Sequence, residues 1–129
     1  MLHGSCMCGS VGYEVQPPFQ HFVNCHCSRC RKATGSAYAA NAVVEAAAFR
    51  WTRGERQVRR FDLPRARSFA IGSCGACGSP VPHVTRNGRH VIIPAGTLDE
   101  DPGVGPSRHV YWCSRAPWMM SAGELPAED

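Results

Sequence analysis

Apolar positions along this chain alternate in short runs, separated by glycine and proline. Val11, Tyr13 and Val15 alternate with other residues, which predicts a strand over residues 10–15. Pro17-Pro18 ends it, and residues 19–24 predict a second strand, forming a hairpin with the first. Residues 36–44 are small and apolar and predict a buried strand, and residues 45–48 predict a single helical turn. Gly54 marks a turn, Val58 and Phe61 a strand after it, Pro64 another turn, and residues 67–71 the next strand. Asn87-Gly88 between residues 81–84 and 90–93 predicts a hairpin. Residues 99–106 form a polar loop, 109–112 a last strand, and the tail after Met120 is expected to be frayed.

Thirteen glycines, ten prolines and few aromatics favour turns and short strands over long helices. The 129 residues suit one domain, 1–129, with a modest core and no internal boundary or repeat. The start, Met-Leu-His-Gly-Ser-Cys, has no basic or apolar leader, and no run is long enough to span a membrane. The expected compartment is therefore the reducing cytoplasm, where clustered cysteines stay reduced and bind metal.

Eight cysteines dominate the chemistry. Cys25-His26-Cys27-Ser28-Arg29-Cys30 carries three sulfurs in one C-x-C-x-x-C stretch. In C-x-C both side chains project to one side of an extended segment, and C-x-x-C is the usual spacing of a metal-gripping turn. Three protein ligands on a Zn²⁺ keep a fourth position for water or substrate, as catalytic zinc sites do. His26, between two ligating cysteines, is expected to point to the opposite face. Ser28 is the expected cap of a short helical turn running through residues 31–34, with Gly35 as its stop.

A second C-x-C, Cys6-Met7-Cys8, lies between Gly4 and Gly9, and Cys74-Gly75-Ala76-Cys77-Gly78 suits a zinc knuckle. Cys6, Cys8, Cys74 and Cys77 make a four-sulfur set; pairing Cys6 and Cys8 with two of the central sulfurs fits the spacing equally well. Cys113 is isolated and reads as a small buried hydrophobe.

The formal charge is +4, and seven thiolates around two divalent ions would leave about +1. That weakens any inference of nucleic-acid binding from basicity. The seven arginines of residues 50–67 read first as a solvated strand face.

Taken in order, these pieces resemble the glutathione-dependent formaldehyde-activating enzyme family, which includes centromere-protein-V-like members. The resemblance runs over residues 4–118. It rests on Gly4-x-Cys6-x-Cys8-Gly9, Cys25-His26-Cys27-x-x-Cys30-Arg31-Lys32 with Gly35-Ser36, Gly54, Cys74-x-x-Cys77-Gly78-Ser79, Gly96-Thr97-Leu98-Asp99, His109 and Pro117-Trp118. Ser73 stands where the family often has Phe.

The resemblance implies a mainly β fold of coiled antiparallel sheets built from hairpins and stapled by structural zinc. It also implies a pairing: Cys6, Cys8, Cys74 and Cys77 around structural zinc, and Cys25, Cys27 and Cys30 around a second, catalytic zinc. The implied activity is carbon–sulfur bond chemistry, adding a thiol such as glutathione to formaldehyde or reversing that addition. A zinc-dependent lyase of this kind would take a small thiol or thiol adduct as its partner. Arg29, Arg31 and Lys32 would meet substrate carboxylates or balance charge, and His109 is the candidate proton shuttle. Trp112 and Trp118 read as core packing. Two rivals stand beside it. One is a non-catalytic zinc module touching nucleic acid or protein through residues 50–67, and the other a structural two-zinc domain in which Cys113 closes the second site.

Overall fold

The computed structural model describes residues 1–120 and 122–129. Eleven short strands run in chain order: β1 Leu2–Ser5, β2 Gly12–Val15, β3 His21–Cys25, β4 Ala39–Glu45, β5 Phe49–Arg53, β6 Val58–Asp62, β7 Ala70–Cys74, β8 Pro80–Val81, β9 His83–Val84, β10 His90–Pro94 and β11 Arg108–Val110. Among the described residues one α-helix, α1, spans Ser28–Thr34. The strands form three sheets, ordered β1-β2-β5, β11-β3-β4-β10-β9 and β6-β7-β8. Every pairing is antiparallel except β11 with β3. The mainly β, antiparallel expectation holds. Among the described residues no helix is long and apolar enough to cross a membrane.

The alternation at the start of the chain works as predicted, because Val11, Tyr13 and Val15 are all buried. Tyr13 and Val15 join Ala42, Val44, Val91 and Ile93 in the main core, which packs the first sheet on the second. The Tyr13 ring lies over Gly4, its register partner, and its hydroxyl meets Thr97 Oγ1 at 2.7 Å. A Cβ at residue 4 would collide with that ring, which explains a glycine inside a strand.

The predicted hairpin between residues 10–15 and 19–24 does not form. β2 is flanked on both edges, by β1 and β5, so β3 crosses to the second sheet and pairs with β4 and β11. β5 itself falls within the arginine-rich stretch: Phe49 and Trp51 pack toward the core while Arg50 and Arg53 stay exposed. The strand predicted at 67–71 begins at Ala70 instead. The carbonyls of Leu63, Ala66, Arg67 and Phe69 are bound by the Arg86 guanidinium and hold a loop open rather than joining a sheet. The Asn87-Gly88 hairpin is present, with β9 paired to β10 and the Gly88 N–H donating to the Thr85 carbonyl. The last strand is shorter than expected, and Trp112 sits in a 3-10 turn, Trp112–Ser114. Of the tail, Ser121 lies outside the described residues and Ala122–Glu124 form a 3-10 turn.

Gly54 is the turn glycine that tolerates no replacement. Its φ is +70°, and a Cβ there would strike the Ser10 carbonyl oxygen. Gly54→Ala should lower stability by about 2 kcal/mol or more. Urea unfolding checks this, and a midpoint within error of the wild type would refute it.

Candidate metal centres and cleft

Two turns of similar construction bring four sulfurs together. In the first, the Gly9 N–H donates to the Cys6 carbonyl at 3.0 Å; in the second, the Gly78 N–H donates to the Cys74 carbonyl at 2.8 Å. Each turn ends on a left-handed glycine, φ 79° at Gly9 and 76° at Gly78. The Met7 N–H donates to Ser79 Oγ at 2.8 Å and ties the turns to one another. The Sγ atoms of Cys6, Cys8, Cys74 and Cys77 all lie within 4.8 Å of one another. Cys6 and Cys8 are 3.6 Å apart, and Cys8 and Cys74 are 3.9 Å apart. A tetrahedral site with bonds near 2.3 Å has sulfur–sulfur edges of about 3.8 Å, so the spacing fits a metal ion.

Donors also converge on these sulfurs. Backbone N–H groups of Val11 and Ala76 point at Cys6 and Cys74 Sγ, at 3.3 and 3.4 Å. The hydroxyls of Ser10 and Ser79 lie 3.0 Å from Cys8 and Cys77 Sγ. The Ser79 hydroxyl and N–H hold the Cys77 thiol down at about 5. Burial opposes the Cys6 thiolate, but the Val11 N–H and neighbouring side chains outweigh it and bring Cys6 down to about 7.

The second group is local. Cys25 ends β3, Cys27 precedes α1 and Cys30 lies in its first turn, with all three sulfurs within 4.8 Å of one another. The helix cap is Cys27 rather than Ser28: its Sγ accepts the Cys30 N–H at 3.3 Å. Gly35 stops the helix as predicted, at φ 63°. Burial and the adjoining Cys25 and Cys27 sulfurs push the Cys30 thiol far up, and burial raises Cys25 as well. Burial also opposes ionisation of Cys27, yet the Cys30 N–H and the neighbouring thiols bring it down. Three sulfurs this close hold three negative charges only around a cation, so this donor set also fits a metal.

The two groups differ in access. Cys25, Cys27 and Cys30 line a cleft of about 1290 Å³, walled also by Arg29, Arg67 and Phe69. None of the four-sulfur group lines it, and no Asp or Glu is among its described lining residues. Phe69 and Val110 pack against Cys25, Cys30 and Ala39.

His26 is fully buried and belongs to neither sulfur group, as its position between two inward-facing cysteines implies. Its Nε2 meets Nδ1 of His109 at 2.8 Å, and the Tyr38 and Trp112 rings pack on it at 5.1 and 4.9 Å. His109 is exposed and does not line the cleft. Trp112 and Trp118 are exposed rather than core residues, 43% and 65%. Cys113 is exposed too, because it sits on the 3-10 turn outside the sheets, and its sulfur joins neither group. Much of the arginine face serves the fold: Arg50 pairs with Glu14, Arg53 Nε donates to the Gly9 carbonyl, and Arg60 holds Asp62 and the Val84 carbonyl.

Ser10, Ser79 and Tyr111 are site residues that sequence reasoning passed over. The serines carried a legible signal, since each stands two positions after a cysteine of its turn.

His83 also lines the cleft, and burial together with nearby Arg60 lowers its pKa to about 4. The folded protein keeps it neutral where an unfolded chain protonates near 6.5, so stability drains as pH falls from about 6.5 to 4. At pH 5 the loss assignable to His83 is about 2 kcal/mol. His83→Gln should show a shallower stability decline between pH 7 and pH 5; parallel declines would refute the assignment.

A small antiparallel β protein with two converging sulfur clusters, one of them opening on a cleft, has the architecture of a thiolate metal-binding protein. The chain belongs to the glutathione-dependent formaldehyde-activating enzyme family, which it matches over residues 1–114. It is similar to a Halomonas elongata protein that carries the name of that enzyme, with 49% identity over 43 residues. That stretch is 32% of this chain and 27% of the relative, so the chain spans only about a quarter of the length of the curated relative it matches. A crystal structure of a Rhodobacter sphaeroides protein shares the fold, with 26% identity and a TM-score of 0.63 over 83% of this chain and 98% of that one.

Proposed function

We propose that the chain is a single zinc domain, residues 1–129, acting in the cytoplasm as a carbon–sulfur lyase on the adduct of a thiol with a small aldehyde. Glutathione and formaldehyde are the pair that the family name suggests. Cys6, Cys8, Cys74 and Cys77 would hold a structural zinc, and Cys25, Cys27 and Cys30 a catalytic one. The observation that carries this reading is the difference in access, since only the three-sulfur group lines the cleft.

Zinc bound by three thiolates would supply a bound substrate thiolate near neutral pH while leaving it electron-rich. In the addition direction the thiol sulfur forms a bond to the carbonyl carbon, the π pair moves to oxygen, and that oxygen takes a proton; the lyase direction reverses each step without redox change. The chain's part is to bind and orient. Arg29 and Arg67, with no acid beside them in the lining, favour an anionic thiol. Phe69 and Val110 keep water from the inner side of the three sulfurs. His109 is the proposed proton carrier; its support is the hydrogen bond to His26, which holds its ring, and a proton it carries reaches the cleft through solvent.

Cobalt replacing zinc supplies a visible probe. Titrating a thiol should change the cobalt spectrum of the wild type, and the change should vanish in Cys27→Ser and persist in Cys113→Ala. If no thiol alters the spectrum while Cys113→Ala newly makes it responsive, Cys113 closes the site and the lyase reading fails.

A further inference from the structure

Tyr111 is, among the described residues, the only non-glycine in the left-handed region, at φ 54° and ψ 39°. Side chains other than Asn and Asp rarely adopt this conformation. Such strain persists only where neighbouring structure imposes it, and it gathers at positions that touch ligands.

The neighbouring structure here is the three-sulfur segment. Val110 is the register partner of Cys25, its carbonyl accepts the His26 N–H at 3.0 Å, and its side chain packs on Cys25 and Cys30. One residue later the chain must leave β11 and enter the turn whose Trp112 ring packs on His26. The left-handed step makes that exit and leaves Tyr111 lining the cleft that Cys25, Cys27 and Cys30 also line. Tyr111 is 65% exposed. Among the described residues its ring packs on no other ring, and its hydroxyl has no hydrogen-bond partner. A large, exposed ring on an unfavourable backbone, one residue past the register partner of Cys25 and stacked on no other ring among the described residues, lines the cleft that the three sulfurs line.

We infer that Tyr111 selects the thiol: its ring packs on the organic substituent that the sulfur carries. This rests on the reading above, that a thiol enters beside Cys25, Cys27 and Cys30. A thiol with a long substituent reaches the ring, whereas a two-carbon thiol does not.

The test uses the full chain loaded with cobalt, titrated separately with glutathione and with 2-mercaptoethanol. In Tyr111→Gly the apparent affinity for glutathione should fall about tenfold, while that for 2-mercaptoethanol stays within about twofold of the wild type. Tyr111→Phe should keep the wild-type ratio of the two affinities. Glycine accepts the left-handed backbone, so the variant's Tm should equal or exceed that of the wild type. Asparagine also tolerates that backbone, and Tyr111→Asn repeats the measurement if the glycine variant does not fold. If Tyr111→Gly binds both thiols like the wild type, the selection role is overturned and the lyase reading stands. Equal loss of both thiols, or a Phe variant as weak as the Gly variant, overturns the ring contact as well. If the wild type takes up neither thiol, the lyase reading falls and this inference falls with it.

Discussion

Cys74→Ser should yield a protein that is unfolded or aggregated at room temperature, whereas Cys27→Ser should keep most of the native fold. Cys74 is 2% exposed and packs with Cys6, Val11 and Val81, so its group sits inside a core cluster. The Cys8–Cys74 contact joins positions 66 residues apart and fastens the first sheet to the third. Closing so long a loop costs only a few kcal/mol, and a structural zinc contributes about 10 kcal/mol or more. A domain of this size has about 5–15 kcal/mol in all, so if the four sulfurs hold such an ion, its loss would remove most of the stability. The three-sulfur group instead spans one local segment already held by β4 and β11 pairing on β3. Serine at position 27 can still accept the Cys30 N–H as a helix cap. Thermal melts followed by circular dichroism, with metal content measured alongside, decide the matter. Equal loss of Tm in the two variants would contradict the assignment.

Arg86→Lys should cost about 2–3 kcal/mol and free the loop over residues 63–69. Arg86 spends its whole guanidinium there: Nη1 donates to the Ala66 and Arg67 carbonyls, Nη2 to those of Leu63 and Phe69, and Nε to Asp62. Lysine has one nitrogen and no planar fork, so it cannot reach these acceptors together. The loop's own backbone bonds, Leu63 N–H to Phe69 and Ala66 N–H to Leu63, are only two. Phe69 would lose its hold against Cys25 and Cys30. Amide hydrogen exchange over residues 63–69 should rise by about tenfold or more. A lysine variant with wild-type exchange and stability would show that the loop supports itself.

Arg86 also shows where sequence reasoning stops. Residues 67–71 look like strand, but only Ala70 and Ile71 join the sheet, while the Arg67 and Phe69 carbonyls accept from Arg86, a side chain of a distant hairpin. β3 was visible as a strand, but its partner was not, because pairing depends on which edges β2 leaves free. β5 was hidden because arginines on its outer face obscured the alternation of Phe49 and Trp51. What was legible had a local cause: the buried face of Val11, Tyr13 and Val15, the Asn87-Gly88 turn, the Gly35 stop and the three-sulfur segment. The joining of Cys6 and Cys8 to Cys77 and to Cys74, 66 residues on from Cys8, was left open by spacing and implied only by the family resemblance. His26 was legible for the same reason, because side chains alternate along an extended segment. The exposure of Cys113 was not, since it follows from the left-handed step at Tyr111.

The unequal spread of the two sulfur groups along the chain also sets an order in time. Synthesis proceeds at about 5–20 residues per second, so residue 77 follows residue 30 by several seconds. A short loop closes in well under a microsecond. Cys25, Cys27 and Cys30 can therefore gather while Cys74 and Cys77 do not yet exist. During that interval the only other sulfurs made are Cys6 and Cys8, the two that spacing alone would also let pair with the central ones. β4 is the next strand made, and by pairing with β3 it draws the central sulfurs into the second sheet, away from the first. Pairing with β4 thus places Cys25, at the end of β3, in a different sheet from β1 and β2, the strands that flank Cys6 and Cys8.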